Sequence, residues 1–359
     1  MDPIISTLYG IPLVGLAFQL VGYLIATIPP ASPIIMAAAT PLVLGALCGV
    51  IGERSGVVNI GIEGIMLASA FTGWIVGVVL APMFPDAAST PVFGITIPLL
   101  FAVLAALGVA LLISLLHAWL SISLRADQII SGTIINIAAF GVTAYLNTLI
   151  AKQSPQSAGA FTAFNPPDWL TGLPVVGWLF DMFLHQGPIS MSVIVLVVGL
   201  QIWLFRSRWG LRTRAVGEHP KATETVGIDV IRLRYRNVLI SGLFAGLAGA
   251  YLSMEATNSF QDGMTAGRGF IALAAMIVGR WTPIGAFGAA LLFATFTALG
   301  QSINFAPPAG QLGDIMTSVP AQFWDALPYI VTIIVLAGVV GRSIPPAADG
   351  QPYERESAT

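Results

Sequence analysis

The chain is 359 residues long, 56% hydrophobic and only 9% charged, with a mean hydropathy of +0.86. Soluble domains carry roughly 25% charged residues, so the composition excludes an ordinary soluble enzyme and indicates an integral membrane protein. The formal net charge of −2 carries no nucleic-acid-binding signature, and the lone Cys48 excludes an internal disulfide or a CxxC metal site.

Apolar runs separated by Pro, Gly or charge predict ten helices, at 8–28, 33–51, 64–80, 98–124, 128–149, 189–205, 237–256, 268–280, 285–304 and 323–341. No Lys or Arg precedes Arg54, so the first run lacks the basic region of a cleaved signal peptide and is expected to stay as a helix. Pro82, Pro85 and Pro91 mark one outside loop. Lys152 to Pro188, with Trp169 and Trp178, marks a longer one that suits an interfacial helix. Eight of the fifteen Lys and Arg residues lie between Arg206 and Arg236. Placed in the cytoplasm by the positive-inside rule, this loop puts thirteen basic residues inside, leaves Lys152 and Arg268 outside, and makes both termini cytoplasmic.

Two segments do not read as simple spans. Glu53-Arg54-Ser55-Gly56-Val57-Val58-Asn59-Ile60-Gly61-Ile62-Glu63-Gly64 places charges and glycines between apolar runs, and Gly267-Arg268-Gly269 opens a run that is short before Arg280. Broken helices of this kind lie beside binding sites in transporters. The breaks also match one another: Gly64-Ile65-Met66-Leu67-Ala68-Ser69-Ala70 resembles Gly269-Phe270-Ile271-Ala272-Leu273-Ala274-Ala275, at an offset of 205 residues that also lays 33–51 on 238–256. In the predicted topology the two copies run in opposite directions, which makes an inverted pair of five-helix repeats. Chance recurrence of Gly and Ala explains the residues equally well, and the matching topology, more than the residues, favours the repeat.

Motifs of catalysis are missing. His117, His185 and His219 are scattered, and HExxH, GxSxG and GxxxxGK[ST] do not occur, so the chain has no P-loop of its own. Gly267-x-Gly269-x-x-Ala272 fits a dinucleotide fingerprint but lacks the strand that such a site needs. The GxxxG pairs Gly45–Gly49 and Gly242–Gly246 read as close helix packing. Within the basic loop, Pro220 suits the first turn of a short helix and Gly227 its end, with Ala222 and Val226 on one small apolar face. A solvated connector and a docking knob for another protein both fit that pattern.

The first break, the stretch Gly210-Leu211-Arg212-Thr213-Arg214-Ala215-Val216-Gly217-Glu218-His219-Pro220 with Ala222 and Gly227-Ile228, and Gly267-Arg268-Gly269-Phe270-Ile271-Ala272-Leu273-Ala274 occur in order. Together they resemble the membrane permease of a bacterial ABC importer, in the branched-chain amino acid, ribose and nucleoside permease family and closest to its nucleoside branch. Thr223 stands where that pattern has a smaller residue. The resemblance implies an all-α polytopic fold similar to the ten-helix cobalamin-type importer permeases. It implies one permease domain over 1–341, with repeats at about 8–149 and 189–341, a coupling loop at 206–236, and a polar tail at 342–359.

It further implies a nucleoside importer subunit of the bacterial inner membrane, paired with a second homologous permease as a heterodimer. Two cytoplasmic ATPases that use ATP and Mg would dock on the coupling loops, an extracytoplasmic solute-binding protein would deliver the solute, and the chain would bind no cofactor itself. Arg214, Gly217, Glu218, Ala222, Glu224 and Gly227 are the coupling candidates. Asn59, Glu63, Asn136, Asn258 and Arg268 are the polar candidates for the pathway, with Glu63 also suited to pairing with Arg54 or capping the helix at Gly64, and Asn136 to joining helices. A ribose-like sugar or branched-chain amino acid permease is the alternative within the family. An ion-coupled secondary transporter is the rival outside it, although Glu63 is the one convincing membrane carboxylate for a coupling ion. An intramembrane enzyme lacks a His, Cys or Asp cluster.

Overall fold

The computed structural model describes residues 12–84, 92–151, 159–335, 337 and 343–354, and among these residues all regular structure is helical. The first helix, α1 (Pro12–Glu53), is one continuous element where the sequence predicts two. Proline lacks an N–H and orphans the carbonyl four residues earlier, which in lipid must find another donor. Pro41 orphans the Ala37 carbonyl, and the Tyr251 hydroxyl donates to it at 2.7 Å. Beside Pro33, the Gln186 amide donates to the Pro33 carbonyl at 2.9 Å. The Tyr251 hydroxyl thus replaces the donor that Pro41 lacks, and Gln186 holds α1 just after the Pro29-Pro30 stretch where the sequence pattern reads a break.

Beyond α1 come α2 (Ile62–Leu80), α3 (Ile97–Ala118, running on through a π turn at Trp119–Ser123) and α4 (Gln128–Ala151). The long loop holds two short helices, α5 (Asp168–Thr171) and α6 (Gly177–Leu184), before α7 (Pro188–Arg206). The basic loop folds as α8 (Arg208–Glu218) and α9 (Pro220–Thr225), and α10 (Val230–Tyr251) extends through a π turn at Leu252–Ala256. Then follow α11 (Arg268–Val278), α12 (Pro283–Phe305), α13 (Gln311–Ser318), α14 (Ala321–Asp325) and α15 (Leu327–Ile334). Seven of the described helices are long and apolar enough to cross a membrane, whereas α11, at 11 residues, is the short element expected after Gly267. The predicted 323–341 helix is represented by α14 and α15, and its end lies outside the described residues, as do Pro85, Pro91 and Lys152.

The two ends of α1 sit at opposite ends of α12. The Tyr23 hydroxyl donates to the Ala306 carbonyl at 3.3 Å, while the Arg54 guanidinium donates to the carbonyls of Trp281 at 2.9 Å and Arg280 at 3.2 Å. Residues 1–11 lie outside the described residues, but the start of α1 is on the side away from the basic loop. The hairpin that gave ten helices and brought the N-terminus back beside that loop is therefore replaced by a single pass.

Burial follows a bilayer and not water. Ile25, Leu104, Leu112, Ile134, Ile137 and Val195 are exposed, while Ser32, Thr40, Ser69, Ser114 and Ser241 are buried between helices. Both GxxxG pairs are packing seams: a Cβ on Gly45 would lie 2.7 Å from the Ala272 Cβ, and one on Gly246 would lie 2.5 Å from the Ala110 Cβ. Substitution at these glycines forces α1 from α11 and α10 from α3.

Candidate functional site

The two broken elements meet inside the bundle. The Glu63 carboxylate, in the first turn of α2, accepts the Gly267 N–H at 2.8 Å and the Gly269 N–H at 2.6 Å. A helix N-terminus leaves its first N–H groups unpaired, and a carboxylate both satisfies them and complements the helix dipole. Glu63 therefore caps α11, neither pairing with Arg54 nor capping its own helix. Gly267 is left-handed at φ +79°, the conformation that turns the chain into α11, and its membership of a nucleotide-binding turn ends there.

Asn136 also joins segments: its side-chain oxygen accepts the Gly64 N–H at 2.7 Å and its amide donates to the Ile60 carbonyl at 3.0 Å. Arg268 folds back onto the Met264 carbonyl at 2.7 Å. Asn258 is half-buried at the turn after α10, with φ +51°. Asn59 differs from all of these. It is 2% exposed, and neither polar atom of its side chain has a hydrogen-bond partner. Of the pathway candidates, then, Glu63, Asn136 and Arg268 spend their polar groups on backbone, while Asn59 keeps its capacity unused.

On the side of the basic loop, the Ser207 hydroxyl accepts the Gly210 N–H at 3.0 Å and starts α8. Arg214 lies over the Phe205 ring at 5.0 Å. Gly217 presses on the first break so closely that a Cβ there would come within 2.3 Å of the Arg54 carbonyl oxygen. Pro220 opens α9 as its sequence suggests, and Gly227 at φ +83° ends it. Ala222 and Val226 both face outward, Val226 being 73% exposed, whereas Thr223 is buried and donates to the His219 carbonyl at 2.8 Å. The residue that departs from the expected small pattern thus faces the body. Beside the tip lies a groove of about 570 Å³, lined by Leu211, Ala215, Ala222 and Val226 and rimmed by Arg208 and Arg212.

Residues 33–336 match the family described as branched-chain amino acid transport system, permease component. The chain belongs to this permease family. It is 39% identical over 325 residues to the guanosine ABC transporter permease protein NupQ of Bacillus subtilis, covering 89% of this chain and 95% of that protein. It is 38% identical over 316 residues to the nucleoside ABC transporter permease protein NupC of Lactococcus lactis, covering 88% and 93%. A putative glucose ABC transporter permease of Haloferax volcanii is 34% identical over 333 residues, covering 89% and 95%. Bacillus subtilis and Lactococcus lactis each hold a second, more distant match, 27% and 24% identical. No solved structure matches the chain significantly.

Two features of the permease were not assigned from sequence. The Glu255 carboxylate accepts the N–H groups of Ile189 at 2.8 Å and Ser190 at 3.1 Å and so caps α7, as Glu63 caps α11. Its signal was visible, since it is an acidic residue inside a predicted span. The other is the C-terminal segment. Residues 343–354 do not trail as a polar tail outside the domain: the Ala348 N–H donates to the Gly217 carbonyl at 2.9 Å, and the Arg234 guanidinium, 1% exposed, donates to the Gln351 carbonyl at 2.9 Å. Burial is the main cause that raises the Asp349 carboxyl to about 6, with a hydrogen bond to Glu53 and the charge of Arg234 opposing it.

Proposed function

We propose that this permease carries nucleosides into a bacterial cell across the cytoplasmic membrane, as one half of a heterodimer driven by separate ATPase subunits. The observation that carries this is the 39% and 38% identity, over about nine-tenths of the chain, to relatives named for guanosine and nucleoside transport. The paired matches in Bacillus subtilis and Lactococcus lactis support a second, non-identical permease as its partner. A sugar is the second reading, favoured by the relative named for glucose.

In this reading the basic loop is cytoplasmic and α9 is the coupling helix. Ala222 and Val226 form its contact, Arg208 and Arg212 form a basic rim suited to an acidic edge on the ATPase, and Arg214, Gly217, Glu218, Glu224 and Gly227 hold the helix in place. The partner ATPases use ATP and Mg, an extracytoplasmic binding protein delivers the solute, and lipid surrounds the rest. Asn59 is the pathway candidate with hydrogen-bonding capacity to offer a solute, whereas Glu63, Asn136, Asn258 and Arg268 shape the breaks around it.

The fold reading is an inverted repeat of the kind found in cobalamin-type importer permeases, with the first two of its ten helices fused into α1. A two-fold-related pair must produce each contact twice, with positions exchanged by the repeat offset. Offset by 205, Gly45 against Ala272 maps onto positions 250 and 67 and Gly49 against Met276 onto 254 and 71, and the contacts of Gly249 with Met66 and Ala70 and of Gly73 with Met254 fall within three residues of these. Glu63 bonding Gly267 and Gly269 brackets its own repeat mate, Arg268, as expected of residues on the two-fold axis. In this reading the start of α1 lies outside, and the coupling loop and C-terminal segment lie inside.

The test is uptake of radiolabelled guanosine, uridine, glucose, ribose and leucine by a deletion strain with and without the gene, together with copurification of the ATPase. Restored guanosine and uridine uptake is expected. Restoration of glucose or ribose alone favours the sugar reading, and restoration of leucine alone overturns the nucleoside assignment.

A further inference from the structure

Residues 343–354 touch both the coupling helix and the broken elements of the bundle. On one side, the Ala347 N–H donates to the Glu218 carboxylate at 3.2 Å, the Ala348 N–H to the Gly217 carbonyl at 2.9 Å, and the Tyr353 hydroxyl to the Glu224 carboxylate within α9. The Tyr353 ring is buried with Val216, Val230 and Leu233. On the other side, the Ser343 hydroxyl donates to the Ile277 carbonyl at 3.0 Å, in the last turn of α11. The Ala348 carbonyl lies where a Cβ on Gly56 would come within 2.9 Å, and Asp349 lies beside Glu53, whose carboxylate accepts the Trp281 indole N–H at 2.5 Å.

The segment is also built to be stiff. Pro345, Pro346 and Pro352 fix their φ angles, and Gly350 makes the one left-handed step, at φ +70°. Bonds made by its main chain at 347, 348 and 351 fix its register on the end of α8 and on α10, and the Tyr353 hydroxyl ties it to α9, so α8 and α9 cannot shift together without loading the segment. A mere cover over apolar surface would need the Tyr353 ring but not this register.

We infer that residues 343–354 act as a strap that passes movement of the coupling helix to both broken elements, at Glu53–Gly56 and at Ile277. This rests on the reading of α9 as the ATPase contact. Stiff, hydrogen-bonded segments with few conformations are what carry such displacement between sites. The strap borders α9 across a second open groove of about 930 Å³, whose walls are Lys221 and Ala222 on one side and Ala347, Gln351 and Tyr353 on the other, so copurification of the ATPase has to be read beside the coupling ratio.

Two variants test the strap in the full complex of permeases, ATPase and binding protein, reconstituted in lipid vesicles: truncation after Arg342, and Tyr353→Phe, which keeps the ring packing and removes the hydroxyl link. The readout is guanosine uptake per ATP hydrolysed, a ratio that a loss of folded protein does not move. In both variants the ATPase should still copurify. The ratio should fall about tenfold on truncation, within the range of couplings between protein sites, and by a smaller factor in Tyr353→Phe. An unchanged ratio in the truncated protein overturns the strap, as does loss of ATPase copurification in step with uptake. Ala222→Asp separates the two ideas: if that variant keeps both ATPase and uptake, the coupling reading itself fails, whereas lost copurification there with an unchanged ratio in the strap variants removes the strap alone.

Discussion

The Glu63 carboxylate accepts the Gly269 N–H at 2.6 Å, so the first turn of α2 is fastened to the first turn of α11 across 206 residues of sequence. Its second oxygen takes the Gly267 N–H at 2.8 Å, which gives each carboxylate oxygen its own donor. One side chain thereby fastens both broken elements at once. An isolated carboxylate in lipid would be costly; here two N–H groups at a helix N-terminus replace the lost water.

Glu63→Gln keeps one acceptor oxygen for two donors. An unpaired buried N–H costs about 1–3 kcal/mol, so the variant should melt at lower temperature in detergent and accumulate less in the membrane. Uptake per permease molecule should stay near the parent value. Normal abundance and melting with abolished uptake would move Glu63 from a capping role to the pathway.

Tyr251→Phe removes the donor that serves the Ala37 carbonyl, at a cost of about 1–3 kcal/mol. Pro41→Ala supplies a main-chain N–H to that same carbonyl. The Tyr251→Phe penalty, measured by melting of the single and double variants, should therefore shrink in the Pro41→Ala background. Equal penalties in both backgrounds would contradict the account of how α1 passes its fourth proline.

On the reading of α9 as the ATPase contact, Ala222→Asp places a charge where water must be excluded, and an unpaired buried charge costs several kcal/mol. Because Ala222 is exposed, the permease itself should fold and keep its partner permease. Copurification of the ATPase and ATP-driven uptake should be lost. Retention of both would make the loop a basic connector.

Asp349 gives the strap a pH dependence. Its carboxyl is raised from 3.8 to about 6, so its contribution to holding residues 343–354 is full below about pH 4 and is lost as pH rises through about 6. Amide exchange of the strap, corrected for intrinsic rates, should show more protection near pH 5 than near pH 8. Asp349→Asn should flatten that difference, and an undiminished difference would assign the effect to another group.

Orientation can be read from thiol labelling in a Cys48→Ser background. Trp169→Cys, at an exposed position of the long loop, should react with a membrane-impermeant reagent in intact cells, and Lys221→Cys only after permeabilisation. Reaction at position 221 in intact cells would reverse the topology and remove the ATPase from this face.

Composition and hydropathy were enough to make this a helical, multi-pass membrane protein, because uninterrupted apolar runs of about 20 residues suit helices, whereas the strands of a membrane barrel alternate apolar and polar residues. The order of three local motifs was enough for the family, and local residue chemistry gave α9 its bounds, since Pro220 and Gly227 act on their own neighbours. Tertiary structure decided what depends on distant partners. The prolines of α1 suggest a break in sequence, yet the helix is continuous, with Tyr251, far along the chain, supplying the donor that Pro41 removes and Gln186 bonding the Pro33 carbonyl. Glu63 has suitable partners nearby in sequence, but the donors it takes belong to α11. The last residues look like a polar tail because, beside the side chains of Ser343 and Tyr353, their anchoring includes main-chain bonds to Gly217, Glu218 and Arg234, and main-chain bonding leaves almost no trace in the identity of the residues that make it.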